Sequence, residues 1–242
     1  MLLSVVVPAF NEEKTIGPLL DELIEVLDHG LESDYEIVVV DDGSVDATAA
    51  LAEAVGHPAL AVTRLPQNLG KGAAVQHGIS SSSGKYVLVQ DADVEYSPRD
   101  IPVLLADLAH DHPMAVYGSR VLGARALSNG LRARAGLWPR QGIPQRGANV
   151  VLQALLRVRF GVVITDPLTG YKLYPRDVFS DWSPTSKGFE TDHEITLHLL
   201  NRRVPISEVP VRYSPRSRSE GKKIRATDFL RALRVVLRRE VT

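Results

Sequence analysis

Short runs of near-continuous hydrophobic residues alternate with longer stretches of helical periodicity through the first half of the chain. Leu3–Val7, Glu36–Val40, Leu60–Arg64 and Tyr86–Gln90 are β-rich and apolar at successive positions, as strands covered on both faces should be. Between them, Glu12–Leu27 places Ile16, Leu19, Leu20, Leu23, Ile24 and Leu27 at helical spacing, and Asp46–Val55 and Lys71–Ser80 also suit helices. Repeated βα alternation predicts an α/β fold: a Rossmann-like, doubly wound, mostly parallel sheet with helices on both faces. Ligands of such sheets bind beyond the carboxyl ends of the strands, so the residues just after each strand are where chemistry is sought.

The second half is less regular. Pro98–Leu108 predicts a helix, Ala115–Gly118 a strand, and Gly123–Pro139 is rich in Arg, Ala and Gly without clear period. Arg146–Leu156 predicts a helix, and another begins near Glu190, with Ile195, Leu199 and Leu200 toward the core. Val204–Tyr213 is strand-like, and Pro205 and Pro210 suit an edge position. Ser214–Arg225 is polar and basic. The final segment reads as an amphipathic helix, with Phe229, Leu230, Leu233, Val236 and Leu237 on one stripe and Arg231, Arg234, Arg238 and Arg239 mostly elsewhere. Such a helix can lie on an anionic bilayer or pack its stripe on the sheet, and both readings stay open. No stretch approaches the ~18 apolar residues of a membrane span. Leu2–Val7 has no basic flank before it and reads as a buried strand rather than a signal peptide.

Composition narrows the chemistry. The 242 residues include no cysteine, which excludes disulfides, thiol nucleophiles and cysteine-ligated zinc or iron–sulfur centres. The net charge of −1 conceals a gradient. Residues 1–100 hold 5 basic and 17 acidic side chains (−12), residues 101–200 hold 11 and 8 (+3), and residues 201–242 hold 12 and 4 (+8). An acidic front half suits a cation and a basic tail suits anions. The basic third permits nucleic acid, but the acidic front half and the 6% aromatic content argue against a stacking surface.

Carboxylates follow successive predicted strands. Glu12 and Glu13 follow the first, Asp41 and Asp42 the second, and Asp91, Asp93 and Glu95 the fourth. In an extended segment Asp91, Asp93 and Glu95 point to the same side. Together they suit a hard divalent cation, Mg²⁺ or Mn²⁺, with water and phosphate oxygens completing its shell. Other chemistries fare worse. His193 and His198 are five residues apart, off the common face that a zinc-protease helix needs, and neither a Walker loop nor a GxGxxG motif is present.

Val5–Glu13 (VVVPAFNEE), Val38–Asp46 (VVVDDGSVD), Asn68–Gly78 (NLGKGAAVQHG), Gln90–Tyr96 (QDADVEY) and Gly118–Arg120 (GSR) resemble family 2 glycosyltransferases of the GT-A fold. Within that family the resemblance is to dolichyl- or polyprenyl-phosphate sugar transferases. Asp166–Tyr174 (DPLTGYKLY), Gly188–Glu194 (GFETDHE), Glu208–Tyr213 (EVPVRY) and Pro215–Ile224 (PRSRSEGKKI) extend it over nearly the whole chain. The resemblance implies a catalytic domain over residues 1–225, with 1–120 binding the nucleotide sugar and 121–225 the acceptor, followed by the helix at 226–242. It puts the nucleotide against Pro8, Phe10 and Glu12, with Asp42 reading the base edge and Lys71 near the diphosphate or ribose. Phe10 stands where many relatives have Tyr, which keeps stacking and loses a hydroxyl contact. Asp91 and Asp93 would reach the metal, and Glu95 occupies a position often held by Gln. Arg216, Lys222 and Lys223 resemble a loop that closes over the diphosphate and excludes water.

The implied reaction is inverting, metal-dependent transfer of mannose or glucose from GDP-mannose or UDP-glucose to a polyprenyl phosphate. Charge developing on the leaving nucleotide would be met by the cation and by Lys and Arg side chains. A lipid phosphate already carries an anionic oxygen and needs no strong base, only cations to hold it, for which Arg120, Arg132 and Arg134 are the candidates. A hydroxyl acceptor needs a carboxylate base, and Asp192 or Glu194 is placed for that. Many relatives carry transmembrane helices after the catalytic domain and this chain ends without them, so a soluble transferase acting on a small molecule, peptide or saccharide is the alternative. A non-catalytic nucleotide-sugar sensor is the alternative of another class. The expected location is cytoplasmic, with peripheral contact at the inner face of the membrane.

Overall fold

Period-two alternation in the apolar runs divides each strand between two layers of core. In the computed structural model, which describes residues 2–31, 34–108, 114–130, 143–182, 186, 188, 190–215 and 233–237, Leu3, Val5 and Val7 enter one hydrophobic cluster and Val6 enters another. Leu88 and its neighbours Val87 and Val89 divide in the same way. The strands are β1 (Leu3–Ala9), β2 (Tyr35–Asp41), β3 (Leu60–Arg64), β4 (Tyr86–Val89), β5 (Ala115–Ser119), β6 (Lys172–Pro175) and β7 (Ile206–Pro210). The helices are α1 (Ile16–Gly30), α2 (Thr48–Ala54), α3 (Lys71–Ser81), α4 (Ile101–Ala106), α5 (Arg120–Gly130), α6 (Ile143–Phe160) and α7 (Thr191–Asn201).

Among the described residues these strands form one seven-stranded sheet in the order β3-β2-β1-β4-β6-β5-β7. Every pairing is parallel except the two made by β6. α1 covers one face through Ile16, Leu19, Leu20, Leu23 and Leu27, all fully buried. Each such side chain contributes roughly 1.5–3 kcal/mol of transfer free energy. The other face is covered by α3, α6 and α7 through Val75, Ile79, Leu152, Leu156 and Ile195. This is the doubly wound, mostly parallel sheet of the GT-A fold.

Several elements depart from the sequence expectation. The predicted helix over Pro98–Leu108 is a 3₁₀ turn at Pro98–Asp100 followed by the short α4. β6 has no counterpart in the hydrophobic pattern, and α5 occupies the start of the stretch that shows no period. The strand-like Val204–Tyr213 contracts to β7, which is an edge as its prolines require. At the C-terminus residues 233–237 are helical, with Val235 and Val236 buried in the cluster of Leu152 and Leu156 and Leu237 exposed. The described part of the expected stripe therefore packs on the protein, one position out of the predicted register. Phe229, Leu230, Arg231, Arg238 and Arg239 lie outside the described residues.

Candidate functional site

The strand order turns about between β1 and β4, which opens a crevice beyond their carboxyl ends. The loops after β1 and β2 are laced together along it. Asn11, in the left-handed region at φ 53°, donates its amide to Ser44 Oγ at 2.9 Å and accepts the Val45 amide at 3.0 Å. Asparagine is among the few side chains that tolerate this conformation. The Glu12 amide donates to Thr48 Oγ1 at 2.8 Å, and its buried carboxylate accepts from Thr15 Oγ1 at 2.9 Å. Pro8 is buried beneath this loop and Phe10 is half-buried.

Asp42 is buried, which pushes its carboxyl up, against the backbone amides of Leu69 and Gly70 that donate to it at 2.7 and 2.9 Å. The side chain expected to read a base is thus first a clamp on the loop that leads into α3. Gly43, at φ 70°, lets that loop approach, since a Cβ there would stand 2.5 Å from the Gln67 carbonyl carbon.

Lys71 opens α3 and drives its Nζ between two carboxylates, 2.8 Å from Asp91 Oδ1 and 3.3 Å from Asp192 Oδ2. Burial alone would depress the ammonium, but Asp192 and Asp91 hold it above its ordinary range. Burial raises the Asp91 carboxyl to about 6, where Asp93 and Asp192 also push it up against the pull of Lys71. Asp192 moves the other way: burial opposes its ionisation, yet Lys71, Lys172 and His193 keep it below the usual carboxylate range. Gly170 lines the cluster, and a Cβ on it would fall 3.0 Å from Asp91 Oδ2.

The metal triad expected from sequence is not assembled. Asp91–Glu95 is a turn rather than an extended segment: Asp93 Oδ1 accepts the Glu95 amide at 3.2 Å and Val94 takes φ 53°. The alternation that would align three carboxylates therefore fails. Glu95 is buried, with Oε2 accepting from the Tyr213 hydroxyl at 2.6 Å. Among the described residues no group of three carboxylates or histidines is gathered for a cation. Glu95 instead fastens the root of the basic segment, because its carbonyl accepts the Ser214 amide at 2.9 Å and the Tyr96 and Tyr213 rings meet at 5.1 Å. Arg216, Lys222 and Lys223 lie outside the described residues, as do Arg132 and Arg134.

At the end of β5, Arg120 grips Asp166 with a two-pronged bond, Nε to Oδ2 at 2.7 Å and Nη2 to Oδ1 at 2.8 Å. Its backbone amide reaches the same carboxylate at 3.0 Å. Glu208 on β7 accepts the Thr165 and Asp166 amides at 2.6 and 3.0 Å, which holds Asp166 in place. The guanidinium lies 5.0 Å from the Tyr213 ring centroid. Glu194 corrects a second expectation. It is fully buried, with Oε1 accepting from Ser186 Oγ at 2.6 Å, so it braces the segment ahead of α7 and cannot meet an acceptor as a base.

Lys172, Asp166 and Gly170 are not among the sequence candidates. Lys172 sits on β6, fully buried beneath Asp192, and donates from Nζ to the Asp192 carbonyl at 2.5 Å. Burial, with help from Lys71, brings it down to about 8. A lysine between tyrosines in an otherwise apolar run was the signal available for it.

Residues 4–182 match the model of the family described as Glycosyl transferase family 2. A dolichyl-phosphate beta-glucosyltransferase of Dictyostelium discoideum is 32% identical over 224 residues, 88% of this chain and 66% of that protein. One of Trichomonas vaginalis is 30% identical over 229 residues, 86% and 63% respectively. A dodecaprenyl-phosphate galacturonate synthase of Rhizobium johnstonii is 38% identical over 109 residues, 44% of this chain and 32% of that protein. The chain thus spans about two thirds or less of the length of these relatives. Glucosyl-3-phosphoglycerate synthase from Mycobacterium tuberculosis, in complex with Mn²⁺, uridine diphosphate and phosphoglyceric acid, shares the fold with a TM-score of 0.69 at 23% identity, covering 98% of this chain and 77% of that one. A family match running from β1 beyond β6, on a sheet with the topology of the GT-A fold, makes this chain a member of glycosyl transferase family 2.

Proposed function

We propose that the chain transfers glucose from UDP-glucose to a polyprenyl phosphate, with inversion at the anomeric carbon. The observation that carries this reading is the state of Asp192. The carboxylate placed for a general base is spent as the counter-ion of Lys71 and sits below the usual range, so it is a poor acceptor of a hydroxyl proton. A phosphate oxygen needs no such base. Two of the relatives named above are dolichyl-phosphate beta-glucosyltransferases and a third is a dodecaprenyl-phosphate galacturonate synthase, which supports a polyprenyl-phosphate acceptor and, through the first two, a glucosyl donor.

In this reading the crevice beyond β1, β2 and β4 takes the nucleotide, with Phe10 against the base and Asp42 at its edge. Asp91 and Asp93 fit a divalent cation. The Asp91 carboxyl is raised by burial first and by Asp93 and Asp192 after it, against the pull of Lys71, so a further cation would favour its ionised form, and Mg²⁺-type sites commonly use one or two carboxylates plus substrate phosphates and water. When bound, the cation supplies charge stabilisation for the departing diphosphate. Lys71 sits at the same carboxylates and offers its ammonium to the diphosphate. Arg120, oriented by Asp166, faces the acceptor phosphate, and Lys172 keeps Asp192 in position from below. Neither proton transfer nor a covalent enzyme intermediate is required, since the acceptor oxygen is already anionic.

Purified protein incubated with labelled UDP-glucose or GDP-mannose, Mn²⁺ and undecaprenyl phosphate tests this. A labelled lipid product from UDP-glucose is expected. Transfer only to water or to hydroxyl acceptors would refute the lipid-phosphate assignment, and product from GDP-mannose alone would refute the donor.

A further inference from the structure

Gln90 is a polar residue where the strand pattern asks for an apolar one. It directly follows β4, its backbone amide still donates to the Val6 carbonyl at 2.9 Å, and its side chain is fully buried. Alternation places it on the Leu88 face of the sheet, whose hydrophobic cluster includes Ala92 and Tyr96. Nε2 donates there to two backbone carbonyls, those of Asp91 and Tyr96, each at 3.2 Å. Both are acceptors, so only an NH₂ group can serve them. Oε1 is buried without a hydrogen-bond partner among the described residues. A buried carbonyl left unsatisfied is a cost, and methionine would fill a similar volume without it. Packing alone does not account for the amide.

The amide closes a loop. Asp91 and Tyr96 are the two ends of the acidic turn, and one side chain grips both. Rings fix the far end, where Tyr96 stacks on Tyr171 with centroids 5.1 Å apart. Inside the loop Val94 takes φ 53°, a region in which a β-branched side chain is strained. Such strain persists only where the surroundings over-determine the backbone. Val94 is 42% exposed, so the restraint comes mainly from the ends of the loop rather than from packing around its side chain. Released, the backbone would relax toward an extended form, and the Asp93 carboxylate would leave the Glu95 amide that it accepts at 3.2 Å.

We propose that Gln90 is a positioning residue for the divalent cation: by tying the Asp91 carbonyl to that of Tyr96 it keeps the strained turn in which the Asp91 and Asp93 carboxylates are presented to one ion. This role rests on the reading above that these two carboxylates take Mg²⁺ or Mn²⁺. Replacing a residue that orients metal-bearing groups from outside typically weakens binding about 10–100-fold. Glycine adopts positive φ without strain, so Val94→Gly should make the turn independent of Gln90.

Mn²⁺ binding to the full chain, followed by the electron paramagnetic resonance of the free ion with UDP present and no acceptor, tests this without turnover. Gln90→Met is expected to bind Mn²⁺ about tenfold or more weakly while its urea midpoint stays near that of wild type. Gln90→Asn keeps the amide but is one methylene too short to span both carbonyls, and it should behave alike; it carries the same test if Gln90→Met does not fold. Val94→Gly should bind as wild type does, and Gln90→Met/Val94→Gly should recover most of the loss. A Gln90→Met protein that binds Mn²⁺ as tightly as wild type overturns the proposal. So does a double variant no better than Gln90→Met, since the amide would then act otherwise than through the turn. Asp93→Asn, run alongside, separates two failures. If it binds as tightly as wild type, the cation reading falls and the role of Gln90 with it, whereas a weak Asp93→Asn beside a tight Gln90→Met sinks the role of Gln90 alone.

Discussion

Lys71 and Asp192 stand 121 positions apart in the chain and meet at 3.3 Å. The contact joins the N-terminus of α3 to the first turn of α7, two helices on the same face of the sheet. With Asp91 on the same ammonium, the cluster carries two anions to one cation. Removing the cation should therefore cost more than removing either anion. Lys71→Met is expected to lose about 3–5 kcal/mol, the usual penalty for stranding buried charges, and Asp192→Asn considerably less, because Asp91 still pairs with Lys71. Mn²⁺ should raise the melting temperature of Lys71→Met more than that of wild type. Equal losses in the two variants in thermal melts would show that the charges do not act as one cluster.

The same contact depends on a missing side chain. A Cβ on Gly72 would lie 2.0 Å from Thr191 Oγ1 and 2.8 Å from the Ser186 carbonyl oxygen, so α3 and α7 approach only because position 72 is bare. Gly72→Ala should push the helices apart, cost roughly 1–3 kcal/mol as overpacking does, and lower sugar transfer beyond what the stability loss explains. Gly17 has open space around it, and Gly17→Ala is the control expected to be neutral or stabilising. Denaturant titration and initial rates on the two variants make the comparison.

The acidic turn gives a sharper contrast. Asp93 and Glu95 look equivalent in sequence, yet the Glu95 carboxylate is bonded to Tyr213. Asp93→Asn is expected to lower metal-dependent turnover on the order of 100-fold, in keeping with several kcal/mol of charge stabilisation. Glu95→Gln should leave the Mn²⁺ concentration for half-maximal activity unchanged. A large rise in that concentration for Glu95→Gln would restore it as a ligand.

How much of this was legible in the sequence follows from the range of each interaction. β1, β2 and β4 announce themselves because strands covered on both faces are apolar at nearly every position, and the search for chemistry at their acidic ends follows from where such sheets bind ligands; β3 reads from its β-rich run although it is a partly exposed edge. β6 escapes the same reading because Lys172 interrupts it, and that lysine is tolerated only because Asp192 lies over it, twenty residues later. α5 escapes because its Arg-, Ala- and Gly-rich stretch has weak periodicity. Asp91–Glu95 misleads because the alternation rule presumes an extended backbone, whereas an aspartate that accepts the amide two residues on makes a turn. The Lys71–Asp192 pair has no local signature at all. A resemblance in motifs could name both residues and could not say that each neutralises the other.

His193 offers a test of the buried side of this site through pH. It is buried on α7, and burial, with the nearby Lys172 charge, brings its imidazole down to about 4 against the partial support of Asp192. In the unfolded chain the ring titrates near 6.5. Between those values the unfolded state binds the extra proton and the folded state does not, so stability rises with pH across this window. Its contribution is fully present above pH 6.5 and is lost as the pH falls toward 4. The two and a half pH units correspond to about 3 kcal/mol. Urea titrations at intervals from pH 4 to 7 should show this loss in wild type and a shallower one in His193→Gln, whose side chain takes up no proton. Parallel pH profiles for the two proteins would mean that His193 is protonated at the same pH folded and unfolded, which would contradict its burial in the field of Lys172 and Asp192.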